Sequence, residues 1–143
     1  MILISHRGNI LGSQPGLENM PEYIQDTLDK GYDVEVDVWY ANNELYLGHD
    51  NPQYKIDISF LMDSRLWCHA KNIEALNYML EYDIHCFWHQ EDDYSLTSKG
   101  IIWAYPNKPI FKKTICVLPE KHNQDISDEV YGICSDNILN YKK

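Results

Sequence analysis

The chain has 143 residues, 44% apolar and 13% aromatic, enough for one domain with a real core and too apolar for a disordered chain. Its 12 Lys and Arg against 22 Asp and Glu give a formal charge of −10. That field repels nucleic-acid phosphates and anionic lipid surfaces, which excludes both as partners and leaves a phosphate ligand dependent on a local cluster of cations.

The opening run Met1 to His6 has no basic leader before its apolar residues, and no stretch is long enough to cross a bilayer. The expectation is a cytoplasmic protein without stable membrane insertion. Ile2 to Ser5 reads as a buried strand ending at His6. Pro21 suits the first turn of a helix running through Ile24 and Leu28, closed by Gly31. Asp33 to Trp39 alternates acids and valines with a period of two, so the acids share one strand face. Asn42-Asn43 turns the chain into Leu45 to Leu47, and Gly48-His49-Asp50 follows.

Leu66 to Ala70 is the next strand. Asn72 is placed to cap a helix carrying Ile73, Leu76 and Leu80 on one stripe. His85 to His89, Ile101 to Ala104, Thr114 to Leu118 and Tyr131 to Cys134 complete about seven core strands and a hairpin, with helices only after the first and third. Alternating strands and helices indicate a parallel α/β sheet. With polar clusters at the strand C-termini, the predicted architecture is a compact, reduced TIM-type (β/α) barrel over residues 1–143 as one domain, several outer helices being missing or shortened. The later strands would then turn Phe87, Trp88, Trp103 and Tyr105 outward, to be covered by a homodimer. Eleven Tyr and four Trp fit such a contact.

Cys68, Cys86, Cys116 and Cys134 show no CxxC spacing and lie in apolar runs, which predicts reduced, buried thiols. Cys68, His69, His85, Cys86 and His89 offer zinc-ligand chemistry, but neighbours on a strand face opposite ways. Trp88 to Asp93 ends a strand in a polar cluster that lines the mouth of the barrel or forms an acidic surface loop.

The chemistry-bearing residues cluster early. Glu35 and Asp37 on one strand face repel each other unless a cation lies between them, and their hard oxygens suit Mg²⁺, Ca²⁺ or Mn²⁺. The bland alternative is a solvated face on an edge strand. His6 and His49, each ending an apolar strand, titrate near neutrality and can exchange protons with a nucleophile and a leaving group. Arg7 can fork onto a phosphoryl oxygen or form a surface ion pair.

In order and spacing, His6-Arg7-Gly8, Glu18-Asn19, Glu35-x-Asp37 and His49-Asp50 resemble the signature of the glycerophosphodiester phosphodiesterase family. That family belongs to the wider group of phosphatidylinositol-specific phospholipase C-like phosphodiesterases. Gly132-Ile133-Cys134-Ser135-Asp136 is similar to the family's last strand; between residue 50 and that strand the likeness is weak. The resemblance implies a metal-dependent TIM barrel that hydrolyses a small-molecule glycerophosphodiester. It makes His6 and His49 the acid–base pair, Arg7 and Lys71 phosphate ligands, and Glu35 and Asp37 metal ligands, with Glu18 and Asn19 shaping the first loop. In His69-Ala70-Lys71 an imidazole stands where the family has a carboxylate. As a ligand, His69 would tilt selectivity toward Mn²⁺ or Zn²⁺; otherwise Glu91 or Glu120 completes the shell. The alternative function is a catalytically weak or inactive phosphate-ester-binding module.

Overall fold

The computed structural model describes all 143 residues. Ten strands form one mixed sheet: β1 (Ile2–His6), β2 (Asp33–Ala41), β3 (Glu44–Leu47), β4 (Tyr54–Ile56), β5 (Leu66–Ala70), β6 (Cys86–Trp88), β7 (Tyr94–Leu96), β8 (Ile102–Ala104), β9 (Thr114–Val117) and β10 (Gly132–Ser135). Two nine-residue helices, α1 (Pro21–Asp29) and α2 (Ile73–Glu81), follow β1 and β5. Parallel ladders run β6-β5-β2-β1-β10-β9-β8. β3 and β4 fold antiparallel onto the far end of β2, and β7 pairs antiparallel with β8.

The TIM-type barrel is therefore incorrect. The sheet curls into a half-barrel without alternating helices, and no ladder joins β6 to β8. The links after β6 explain this. Residues 105–113 and 118–131 contain Pro106, Pro109 and Pro119 and left-handed Asn107, Leu118 and Asn123, which break helical periodicity. One three-residue 3₁₀ turn, Pro119–Lys121, is all the helix they contain.

Curling separates two cores. On the convex side, Val34, Val36, Val38, Cys68, Ala70 and Cys86 pack under α1 and α2. On the concave side, Ile4, Trp67, Phe87, Trp103, Ile115, Val117 and Cys134 fill the interior. Each fully buried aliphatic or aromatic side chain contributes about 1.5–3 kcal/mol. Phe87 and Trp103 are thus internal, stacked 4.6 Å apart, rather than outward and awaiting a subunit. Trp88 packs against the convex core, and only Tyr105 of the four is exposed. All four cysteines are free and buried. Cys68 and Cys86 face the helices while His69 faces the concave side, so no Cys–His cluster assembles.

Local chemistry sets the helix positions. Pro21 opens α1, and Gly31, at φ 90°, lets the chain turn away after it. Asn72 accepts the Ala75 N–H at 3.0 Å and donates to the Tyr40 carbonyl at 2.8 Å, capping α2 and tying it to β2. The expected Ile73/Leu76/Leu80 stripe does not face the core. Ala75 and Met79 are the buried residues, Leu76 is half-buried, and Ile73 and Leu80 are 59% and 52% exposed. The cap on Tyr40 fixes the helix rotation and brings the smaller Ala75 against the sheet. β4 and β7, three residues each, lie where no strand is predicted.

Candidate active site

At the C-terminal end of the parallel strands a cleft of about 540 Å³ opens. His6, Arg7, Glu35, His49, His69 and Lys71 line one side of it. The register explains the convergence: His6 pairs with Glu35 across β1 and β2, and Asp37 pairs with His69 across β2 and β5. In-register residues of adjacent strands share a face, so the alternation of β2 delivers both acids to the concave side. Both are buried, Asp37 completely.

His69 Nδ1 lies 3.3 Å from Asp37 Oδ1 and 3.8 Å from Glu35 Oε1. Its Nε2 donates to the His89 carbonyl at 3.0 Å. With Nε2 committed to that carbonyl, Nδ1 is the ring nitrogen that faces the two acids. Glu35 Oε2 and Asp37 Oδ1 are buried without a hydrogen-bond partner, an expensive state for carboxylate oxygens. Two hard oxygens and one imidazole nitrogen within 4.8 Å of one another fit a divalent cation, and the imidazole admits Mn²⁺ or Zn²⁺ beside Mg²⁺ and Ca²⁺.

Electrostatics divide the two acids. Burial, then the charge on Asp37, pushes the Glu35 carboxyl up. Burial also opposes ionisation of Asp37, but His69, Arg7 and Asn19 outweigh it and hold that carboxyl well below the usual range. Asn19 grips Asp37 twice: its amide donates to Oδ2 at 2.8 Å, and its carbonyl accepts the Asp37 N–H at 2.9 Å. Arg7 Nε stands 3.1 Å from Asp37 Oδ2, and Lys71 Nζ 3.9 Å from Oδ1. Arg7 Nη1 also donates to Glu18 at 3.3 Å.

Arg7 holds a left-handed backbone, φ 57°, a conformation costing a non-glycine residue about 1–2 kcal/mol. Its N–H to the Glu35 carbonyl at 3.0 Å and its carbonyl accepting the Asn19 N–H at 3.1 Å fix it there. Gly8 lets this turn approach α1, since a Cβ would sit 2.6 Å from the Tyr23 ring.

His6 is clamped by a residue that motif reading did not place in the site. Its Nδ1 lies 2.7 Å from Asp136 Oδ1, and Asn9 donates to the same oxygen at 2.8 Å. Burial favours the neutral His6 ring, but the Asp136 bond and the Glu35 charge raise its affinity for a proton. His6 Nε2 stands 3.8 Å from Glu35 Oε2.

No protein-family model, curated protein or solved structure matches the chain.

The remaining residues divide. His49 lines the same cleft but is exposed, with Nδ1 2.7 Å from Asp50 Oδ1. Its loop is seated by Gly48, whose N–H donates to the Asp37 carbonyl at 3.1 Å and whose carbonyl accepts the Trp39 indole N–H at 2.7 Å. Glu18 and Asn19 border an adjoining polar pocket with Arg7 and His49. Glu91 is exposed outside the cleft. Glu120 Oε1 instead accepts from Ser135 Oγ at 2.9 Å and from the Asp136 N–H at 3.0 Å. Neither glutamate stands with Glu35 and Asp37. Trp88, His89 and Gln90 line the mouth, whereas Glu91, Asp92 and Asp93 do not. The available signal for Asp136 was an acid one residue past the end of β10.

Proposed function

We propose that this protein is a metal-dependent phosphodiesterase acting on a small glycerophosphodiester-like molecule. The observation that carries this reading is Nδ1 of His69, turned inward by the bond of Nε2 to the His89 carbonyl and set within 4.8 Å of the buried oxygens of Glu35 and Asp37. The likeness of the four early motifs to glycerophosphodiester phosphodiesterases supplies the reaction class.

Glu35, Asp37 and His69 would hold the cation, which supplies Lewis-acid charge to the phosphoryl oxygens. Arg7 and Lys71, both in the cleft, neutralise non-bridging oxygens. His6, oriented by Asp136, takes the proton of the attacking hydroxyl or water at Nε2 as its oxygen bonds to phosphorus. His49 protonates the departing alkoxide as its P–O bond breaks. Attack by water yields an alcohol and a phosphate monoester. Attack by a neighbouring substrate hydroxyl yields a cyclic phosphate that water then opens.

One observation favours a second reading, a phosphate-ester-binding module without turnover: Arg7, Asn19 and Lys71 already surround the Asp37 carboxylate. The test is hydrolysis of bis(4-nitrophenyl) phosphate with Mg²⁺, Ca²⁺, Mn²⁺ or Zn²⁺, beside His6→Ala and His49→Ala. The enzyme predicts metal-stimulated turnover that falls about 10²–10⁴-fold in either variant. Phosphate-ester binding with no turnover under any metal supports the module.

A further inference from the structure

The cleft contradicts the charge of the molecule around it. The chain carries −10 overall, yet the cleft is lined by Arg7, Lys71, Lys121 and five of the six histidines, with Glu35 the one carboxylate on its wall and Asp37 and Asp136 set behind Arg7, His69 and His6. Low-dielectric walls focus such a field on an incoming anion. A phosphodiester brings one negative charge, and Arg7 and Lys71, beside the acid pair, suffice for it.

Lys121 and His122 belong to a different place. They follow β9, which is separated from β1 by β10 alone. Two strand spacings of about 4.8 Å separate β9 from β1, so the turn that carries them leaves the sheet about 10 Å along the rim from the strand that carries Arg7. The turn that presents them is firmly built. Leu118 takes a left-handed conformation, φ 47°, rare for a branched side chain. Its N–H donates to the Cys134 carbonyl at 2.7 Å, and the Lys121 and His122 N–H groups close onto Leu118 and Pro119. Glu120, between Pro119 and Lys121, is buttoned onto Ser135 and Asp136. The backbone is bent at some cost, and the outcome is two basic side chains on the cleft wall. Neither is committed to an ion pair there, in contrast to Arg7 and Lys71.

We infer that the ligand of this cleft carries a second anionic group, a phosphomonoester or carboxylate, bound by Lys121 and His122 about 10 Å from the phosphate at Arg7. This rests on reading the Arg7 side as a phosphate site. It narrows the substrate class to small phosphodiesters with an additional negative charge several bonds away.

The test measures binding rather than turnover. Butane-1,4-diol bisphosphate and butyl phosphate differ only in the second phosphate, and Trp103, on the concave side and lining the cleft, provides a fluorescence signal. At low salt the bisphosphate is expected to bind about tenfold tighter. In Lys121→Gln/His122→Gln the two compounds should bind alike, and Lys121→Arg should keep the preference. Equal affinities in the unaltered protein, a preference that survives the double variant, or no binding of either compound overturns the inference. A bisphosphate preference lost in the double variant, in a protein that turns over no diester with any metal, upholds it while removing the hydrolase reading.

Discussion

His6 Nδ1 and Asp136 Oδ1 meet at 2.7 Å across 130 residues of chain. Because the carboxylate accepts, Nδ1 carries the proton and Nε2 is left facing the cleft as the basic nitrogen. The bond therefore selects the tautomer that can remove a proton from a nucleophile.

Asp136→Asn is expected to break that selection, since an amide can present N–H to Nδ1 and move the ring proton to Nε2. Turnover of a chromogenic diester should fall about 10²–10⁴-fold. Calorimetric Mn²⁺ affinity, which the proposed ligands Glu35, Asp37 and His69 would set, should stay nearly constant. Unchanged turnover would remove His6 from the proton relay.

Phe87 joins core to site. It is 2% exposed and stacks between His69 at 5.1 Å and Trp103 at 4.6 Å. Phe87→Ala should cost about 3–5 kcal/mol in urea unfolding. Mn²⁺ binding should weaken too, because the His69 ring loses the surface that fixes its plane. Phe87→Leu should recover most of the stability and less of the metal affinity.

Gly48 seats the His49 loop. A Cβ there would lie 2.1 Å from the Asn51 carbonyl oxygen, so backbone must move. Gly48→Ala is expected to destabilise by about 1–3 kcal/mol and to lower diester turnover at least as much as His49→Ala does. Thermal melts and steady-state rates on the same preparation check both.

The strand ladder was readable because its residues declare a period. The acid–valine alternation of β2 puts Glu35 and Asp37 on one face whatever encloses them, and the short apolar runs before His6 and Lys71 are too brief for helices. The closed barrel was not readable. Its prediction assumed that strands flanked by polar ends are covered by helices, but the proline-bearing links after β6 leave the convex face there to turns. Helix α2 shows a second limit. Its apolar residues allow more than one stripe, and the choice fell to Asn72 gripping Tyr40, a contact 32 residues apart. Asp136 was hidden for the same reason: its role comes from β10 lying against β1, which no local pattern encodes.

His85 provides a pH signature away from the cleft. Burial, aided by Lys99, lowers its pKa from 6.5 to about 4, and its Nε2 is 2.8 Å from Thr97 Oγ1. Below pH 6.5 the unfolded chain binds the proton first, so stability is lost as pH falls through this window and is untouched above it. Discounted for partial exposure, the loss is about 1–2 kcal/mol. Urea midpoints at neutral and mildly acidic pH should show a slope that flattens by this amount in His85→Gln.

The ladder between β1 and β10 has a consequence for how the molecule comes into being. A growing polypeptide emerging from the ribosome can pair β1 with β2 and gather Glu35, Asp37 and His69 early, but it cannot orient His6 until residues 132–136 have been synthesised and docked. The orientation of His6 thus follows the gathering of the acids by nearly a hundred residues of synthesis. A product truncated before β10 would keep Glu35, Asp37 and His69 together and leave His6 without its Asp136 partner.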